Sequence, residues 1–181
     1  PLEKIVTVAV NGEVVELKES SANHVDWVNI MAYDMNWGTA EHSTFVDSAD
    51  AIKSYESIGI SKEKLTLGIT FYGRDNSSNA IKYEEIVLLC SPLPSENYCN
   101  DYFFNGIDLV NQKTQYVLDN GYGGVMVWNL GQDTNDKTSL LSAINEVILN
   151  ESGTGFVIDS DIPNVSETLW IDFASLVNLI K

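Results

Sequence analysis

The hydrophobic pattern of the chain contains four short apolar segments, each rich in β-branched residues and bounded by polar or glycine-containing stretches. They are Ile5–Val10, Trp27–Tyr33, Leu65–Tyr72 and Val125–Asn129. Their length and composition predict buried β-strands. Helical spacing of apolar residues occurs between and after them, at Val46, Ala49 and Ile52, at Leu109, Tyr116 and Val117, and at Leu140, Leu141, Ile144, Val147 and Ile148. Strands that alternate with helices predict a parallel sheet with crossover helices.

Each predicted strand has one aliphatic face and one face that mixes small, polar and aromatic side chains. In the second strand, Val28 and Ile30 alternate with Asn29 and Met31. An open doubly wound sheet has helices over both faces, so both of its faces would be apolar. A mixed face instead lines the lumen of a (β/α)8 barrel, with the aliphatic face under the helices. The alternation therefore favours a barrel over an open sheet.

Two further segments lie outside this alternation. A polar stretch at residues 75–105 follows Arg74 and is long for a connection between a strand and a helix, which indicates a long loop or a small insertion. Its Cys90 and Cys99 are the only cysteines of the chain, and a disulfide and two free thiols both remain open. After the break at Glu151–Gly155, the apolar pattern predicts one more amphipathic helix, carried by Trp170, Phe173, Val177 and Ile180.

The charge of the chain excludes several classes of partner. Ten Lys and Arg stand against 26 Asp and Glu, which gives a net charge of -16. Nucleic acids and anionic membranes need a basic surface, so we expect neither as a partner. No residue pattern indicates a cofactor, and no His or second Cys pair lies near the cysteines, so no metal is expected. His24 and His42 lack a carboxylate partner at ligand spacing and are expected to be surface or loop residues.

Candidate chemistry lies where the predicted strands end. Barrel enzymes place their sites at the carboxyl ends of the strands, and these ends carry Tyr33, Asp34, Tyr72, Arg74 and Trp128. Aromatic rings stack on the C–H face of a sugar, while charged groups hydrogen-bond its hydroxyls. The alternative is that these aromatics merely cap the barrel core. Because the residues share one end of successive strands, a sugar site is favoured.

Three sequence blocks resemble the last three barrel strands of family 18 glycoside hydrolases of the chitinase type. VDWVNIMAYD at residues 25–34 resembles the sixth strand, with its Met-x-Tyr-Asp signature; KLTLGITFYGR at 64–74 resembles the seventh, and GYGGVMVW at 121–128 the eighth. The resemblance covers most of residues 1–149 and makes the first segment the fifth strand. It implies an α/β fold that is a partial (β/α)8 TIM barrel, strands five to eight with their helices, followed by a tail at 150–181. A complete barrel needs about 250 residues, against 181 here.

The resemblance also implies a role for each candidate residue. Tyr33 would hydrogen-bond the acetamide of the sugar at the cleavage point, and Asp34 would contact the same sugar. Trp128 would form the floor beneath it, and Tyr72 and Arg74 would line the cleft. The implied substrate is chitin or another glycan of β-1,4-linked N-acetylglucosamine. The implied mechanism is substrate-assisted retention, in which the acetamide oxygen replaces an enzymic nucleophile.

The family's catalytic acid is absent from this sequence. The acid is a Glu at the end of a D-x-x-D-x-D-x-E motif on the fourth strand, and no such motif occurs here. We therefore expect no catalytic residue in this chain, the acid upstream of Pro1, and no activity of the chain alone. Alternatives are a non-catalytic chitinase-like glycan-binding protein and a relative that acts on peptidoglycan or N-glycans. The resemblance implies a secreted or cell-surface protein, and the open barrel implies self-association or pairing with the missing amino-terminal half.

Overall fold

The computed structural model describes residues 4–152, which form an α/β fold with two four-stranded sheets. The elements in chain order are β1 (Thr7–Asn11), α1 (Glu19–Ala22), β2 (Trp27–Met31), α2 (Phe45–Ser57), β3 (Leu65–Thr70), β4 (Tyr72–Arg74), β5 (Ala80–Lys82), α3 (Tyr83–Cys90), β6 (Tyr98–Cys99), β7 (Tyr102–Phe103), α4 (Ile107–Asp119), β8 (Gly124–Trp128) and α5 (Leu140–Ser152). Short 3-10 turns at Lys62–Lys64 and Leu130–Gln132 precede β3 and follow β8.

The main sheet is parallel, with the strand order β1-β2-β3-β8. This confirms the predicted parallel pairing, and β1 and β8 form the two edges of the sheet. The helices α2 and α4 lie in the connections that lead to β3 and β8, as the sequence pattern predicts. Trp128 is the last residue of β8 and Asp34 lies three residues past β2, so the parallel arrangement brings both to one end of the sheet.

The aliphatic face of the main sheet forms the core together with the helices. Val28, Ile30, Leu65 and Leu67 are fully buried there. The α2 helix begins where the Thr44 side chain accepts a hydrogen bond from the backbone of the first turn, a typical N-cap. In this helix Ala49 and Ile52 face the core as predicted, whereas Val46 is exposed.

The opposite face of the sheet is mixed, as predicted, and its residues pack closely at the centre. The Thr66 hydroxyl donates a hydrogen bond of 2.6 Å to the Asn29 side chain. A Cβ at Gly68 would lie 2.4 Å from the Ile30 carbonyl oxygen and 2.9 Å from the Tyr33 ring. Only glycine therefore allows the ring of Tyr33 to lie across β3.

The prediction of a single third strand over Leu65–Tyr72 is wrong, because the chain leaves the main sheet after Thr70. The Thr70 hydroxyl accepts a hydrogen bond from the Tyr72 N–H at 3.3 Å, and the buried Phe71 donates its N–H to the Trp128 carbonyl at 2.8 Å. This local turn directs Tyr72–Arg74 into a second, antiparallel sheet with the order β5-β4-β7-β6. The sequence pattern could not distinguish one long strand from two short ones.

Residues 75–105, for which the sequence predicts a long loop or a small insertion, form regular elements of their own between β4 and α4. The insertion contains β5, α3, β6 and β7. A disulfide between Cys90 and Cys99 joins the end of α3 to β6, with Cα atoms 5.9 Å apart. This settles the question of the two cysteines in favour of a disulfide.

At the carboxyl-terminal side, α5 continues to Ser152, so the predicted boundary between residues 149 and 150 falls inside a helix. The predicted tail helix lies outside the described residues. Within residues 4–152, no helix is long and apolar enough to cross a membrane. The same part of the chain contains no cluster of three or more side chains suited to holding a metal ion.

Candidate functional site

Asp34 is the centre of the candidate site. It lies three residues past the end of β2, with a φ of 58°, in the left-handed region. Its Oδ2 accepts a hydrogen bond of 2.8 Å from Arg74 Nη2, and its Oδ1 accepts one of 2.5 Å from the Tyr72 hydroxyl. Arg74 Nε lies 2.6 Å from Oδ1, an ionic contact whose angle is not that of a hydrogen bond. The Asp34 carboxylate thus connects the loop after β2 to Tyr72 and Arg74 of β4.

The electrostatics of this network keep Asp34 ionised and the two tyrosines protonated. Burial raises the pKa of Asp34, but its contacts with His42, Tyr72 and Arg74 together lower it below its usual value. Burial, with a smaller contribution from the Asp34 charge, raises the pKa of Tyr33 to about 12. Burial and the hydrogen bond to Asp34 likewise raise the pKa of Tyr72. The site therefore offers one fixed anion, which accepts the Tyr72 proton, beside the protonated hydroxyl of Tyr33.

The structure brings Tyr33 beside this network. Its ring lies edge-on to the Tyr72 ring at 6.4 Å between centroids. Within the described residues, the hydrogen bond shown for its hydroxyl is a weak one of 4.0 Å to the Met126 sulfur. Since a thioether is a weak acceptor, the Tyr33 hydroxyl remains suited to donate a stronger hydrogen bond to a ligand oxygen.

Trp128 lies at the same end of the sheet but outside the Asp34 network. It is the last residue of β8, pairs in register with Thr70, and precedes a cis peptide bond. Its side chain shares a face with Met126 and the residue is 54% exposed. Tyr33 and Tyr72, in contrast, are buried.

A second exposed tryptophan lies on the other side of Asp34. The Arg74 guanidinium carbon is 5.8 Å from the ring centroid of Trp37, which is 71% exposed. A small open pocket is formed there by Asp34, Met35, Trp37, Thr39, His42, Arg74 and Ser78. Trp37 is thus placed as an aromatic residue on the rim of this pocket.

His42 lies in the loop between β2 and α2, within the range of the surface-or-loop expectation, but the expectation that it has no carboxylate partner is wrong. It is 1% exposed, and its Nδ1 lies 3.4 Å from Asp34 Oδ1. Its ring stacks on the Tyr72 ring at 5.3 Å and meets Phe103 edge-on. Burial lowers the pKa of His42 despite the attraction of Asp34. The neutral ring can accept the hydrogen bond of 3.3 Å that the Asp34 N–H directs at Nδ1.

Sequence reasoning missed His42 because its contacts depend on the loop that connects β2 to α2. The loop turns back on itself, so the Met35 N–H donates a hydrogen bond of 3.0 Å to the His42 carbonyl. A spacing of eight residues matches no ligand motif on a helix or strand. The loop contains three residues with a positive φ, Asp34, Asn36 and Gly38. Asp, Asn and Gly tolerate this conformation, but their presence does not predict which residues the loop brings together.

Comparison with known proteins places this fold and site in context. A family model described as glycosyl hydrolases family 18 matches residues 2–133. Chitinase C from Streptomyces lividans is 34% identical over a segment that covers 30% of this chain and 11% of that protein. The chitinase ChiB from the chitin utilization locus of Flavobacterium johnsoniae has a TM-score of 0.73 at 28% identity, covering 80% of this chain and 50% of that one. A chitinase from Bacteroides thetaiotaomicron shares the fold, with a TM-score of 0.76 at 24% identity over 86% of this chain and 55% of its own.

Proposed function

This chain belongs to glycosyl hydrolases family 18, and from that premise we propose that residues 1–149 are the carboxyl-terminal half of a chitinase-type (β/α)8 barrel. In this proposal β1, β2, β3 and β8 are barrel strands five to eight, and residues 75–105 are a reduced insertion after strand seven. The parallel order of the four strands supports it. So does the share of the ChiB structure that the chain spans, which is 50%.

The observation that carries the function is the convergence of Tyr33, Asp34, Tyr72 and Arg74 at one end of the parallel sheet. We assign them to a glycan of β-1,4-linked N-acetylglucosamine, such as chitin. The Tyr33 hydroxyl donates to the acetamide carbonyl, and the Asp34 carboxylate contacts the same sugar. Exposed Trp128 forms the floor, since an aromatic ring matches the apolar face of a pyranose. The names of the chitinase relatives support this class of substrate.

In the complete enzyme the proposed reaction is hydrolysis with substrate-assisted retention. The acetamide oxygen attacks the anomeric carbon, and a hydrogen bond from Tyr33 orients the acetamide. The proton for the leaving oxygen comes from a Glu that this chain does not contain. Asp34 is unsuited to supply it, because its lowered pKa keeps it ionised and its oxygens already accept from Arg74 and Tyr72.

Closure of the barrel requires a second set of strands. β1 and β8 are edge strands of the described sheet, and Met31 and Met126 on the mixed face are only half-buried. Unpaired edges and apolar surface favour association. We propose that these edges pair with the amino-terminal half, or with a second copy of the chain when that half is absent.

The disulfide supports a secreted or cell-surface location. Disulfides persist mainly in oxidising compartments, and the chain has one between Cys90 and Cys99. The same disulfide joins α3 to β6 in the sheet that contains β4, and β4 carries Tyr72 and Arg74.

The experiment that tests the function is a titration of the 181-residue chain with sugar, in which NMR measures binding. Tri-N-acetylchitotriose should shift the amide signals of Tyr33 and Asp34, whereas cellotriose, which has no acetamide, should leave them unchanged. The variant Asp50→Asn, on the exposed part of α2, should respond like the wild type, and Asp34→Asn should not respond. Equal shifts with both sugars would overturn the acetamide assignment. An absence of shifts in the wild type at millimolar sugar would overturn the proposed site.

A further inference from the structure

Lys113 is a fully buried lysine behind the candidate site that the proposed reaction does not use. It lies in α4, and no ion pair of the described residues includes it. Its Nζ contacts three oxygens: the Ser43 carbonyl at 2.9 Å, the Ser43 hydroxyl at 2.9 Å and the Asn105 side-chain carbonyl at 2.7 Å. An ammonium group has three N–H donors, so each donor has one acceptor.

The surrounding hydrogen bonds fix the direction of these contacts. The Ser43 hydroxyl donates its own proton to the Ala32 carbonyl at 2.8 Å, and the Asn105 amide donates to the Ser43 carbonyl at 3.0 Å. Ser43 and Asn105 therefore present lone pairs to Lys113. Burying an amine among neutral groups is costly unless every donor is satisfied. This geometry satisfies all three donors without a carboxylate in contact.

The anchored Ser43 is connected to the site on both sides. Ala32, which accepts the Ser43 proton, is the residue before Tyr33. His42, the residue before Ser43, accepts from the Asp34 N–H through its ring and from the Met35 N–H through its carbonyl. Three hydrogen bonds thus join residues 42–43 to residues 32–35. Lys113 in turn binds residues 42–43 through its two contacts with Ser43.

We propose that Lys113 is a positioning residue that, through Ser43, holds Tyr33 and Asp34 in the orientation in which they meet the ligand. The identity of that ligand rests on the proposed function, but the positioning itself does not. Removal of Lys113 leaves the Ser43 hydroxyl oxygen and the Asn105 side-chain oxygen without a donor, and it leaves the Ser43 carbonyl with only the Asn105 amide. The segment 42–43 therefore loosens, and the turn at Asp34 loosens with it. The Lys113 charge also lowers the pKa of His42, which gives a second, independent signal.

The test uses NMR and hydrogen exchange on the 181-residue chain without any sugar. The variants are Lys113→Met, which keeps the length of the side chain, and Ser43→Ala, which removes the relay hydroxyl and keeps the lysine. The control is Lys137→Met, which removes an exposed charge before α5. We expect both test variants to speed exchange of the Asp34 and Met35 amides by about tenfold or more, with β3 amides unchanged. Only Lys113→Met should raise the pKa of His42, with exposed His24 as the internal reference.

Each outcome decides the proposal. Uniformly faster exchange across β3 and α5 would show that Lys113 only stabilises the core, and an unchanged His42 pKa with unchanged Asp34 exchange would overturn the role altogether. If Lys113→Met does not fold, Ser43→Ala decides: protected Asp34 and Met35 amides in that variant contradict the proposal. If the variants show the faster exchange but the wild-type chain binds no tri-N-acetylchitotriose, the proposed function is overturned and the positioning role of Lys113 stands.

Discussion

Arg74 and Asp34 are forty residues apart in the sequence, yet Arg74 Nη2 donates a hydrogen bond of 2.8 Å to Asp34 Oδ2. The contact joins the loop that follows the parallel strand β2 to β4, the strand that precedes the insertion. The Arg74 and Asp34 side chains are partly exposed, so the contact contributes more to the orientation of Asp34 than to the stability of the fold.

Replacing Asp34 by Asn should weaken both the site and the fold. The change keeps the shape of the side chain but removes the anion that accepts from Tyr72 and Arg74, and hydrogen bonds to charged groups contribute about 1.5–3 kcal/mol in favourable cases. Because the group is partly exposed, we expect the free energy of unfolding to fall by about 1–2 kcal/mol. Urea denaturation measures this. Asp50→Asn, at an exposed position of α2, is the control and should be neutral; an equally stable Asp34→Asn variant would contradict the network.

The main sheet could be predicted from the sequence because its signal is local. The alternation of Val28 and Ile30 with Asn29 and Met31 reports directly which face is buried. The insertion could not be predicted in the same way, because β4 to β7 have two or three residues each. Strands this short carry no periodicity, and their pairing depends on a disulfide and on long-range contacts.

The site was predictable only at the strand ends. Tyr33, Asp34, Tyr72, Arg74 and Trp128 follow from the rule that barrel sites lie at the carboxyl ends of strands. His42 and Lys113 do not follow from it, since Lys113 meets Ser43 across 70 residues of sequence and His42 depends on a left-handed turn at Asp34. Both residues support the site from behind, where no strand-end rule applies.

Trp128→Ala should abolish binding of tri-N-acetylchitotriose with little loss of stability. The residue is half-exposed, so truncation leaves no large cavity in the core, whereas a stacking platform for the sugar is lost. The matched control is Trp37→Ala, which removes the exposed rim aromatic next to Arg74 and should weaken binding less. Calorimetric titration measures both. Unchanged binding by a folded Trp128→Ala variant would contradict the floor assignment, and an unfolded variant would favour a core role.

His42 should make the fold sensitive to acid. Burial holds the pKa of His42 below its usual 6.5, so the unfolded chain takes up this proton at a higher pH than the folded chain does. Stability from this group is therefore complete above pH 6.5 and falls as the pH drops through the folded pKa. The groups facing His42 are Asp34, Arg74, Tyr72 and Lys113; Asp34 stays ionised in this range because its own pKa is lowered.

The measurement is the difference in unfolding free energy between the wild type and His42→Asn at a series of pH values. Asn can accept from the Asp34 N–H but does not titrate. We expect the advantage of the wild type to shrink on acidification below pH 6.5. His24→Asn, at an exposed position, is the matched control. A wild-type advantage that grows on acidification would mean that the folded state stabilises the imidazolium, contrary to the dominance of burial.

The chain alone should self-associate through its open sheet. Ala9 is exposed on the mixed face of the edge strand β1, and a lysine there places a charge where a second sheet would pack. We expect light scattering at high concentration to give more than a monomer mass for the wild type and a lower mass for Ala9→Lys. Val46→Lys, on the exposed side of α2, should behave as the wild type. A monodisperse wild-type monomer at high concentration would contradict the prediction.

The 181-residue chain alone should not hydrolyse chitin or chito-oligosaccharides above background. The leaving oxygen needs a proton, and general acid catalysis contributes roughly 10²–10⁴-fold to the rate. The sequence contains no D-x-x-D-x-D-x-E segment to supply that acid. Asp34 cannot replace it, because its lowered pKa keeps it ionised and Arg74 and Tyr72 already occupy its oxygens.

A fluorogenic chitobioside measures this directly, with the chain alone and with an added amino-terminal half of a family 18 barrel. We expect turnover only in the mixture, since orienting the acetamide against the acid needs both halves and misplacing reactants costs a large part of the rate. Asp50→Asn should leave the activity of the mixture intact, and Asp34→Asn should lower it. Clear turnover by the chain alone that Asp34→Asn abolishes would show that Asp34 is itself the acid, and the substrate-assisted scheme with a Glu outside this chain would then be wrong.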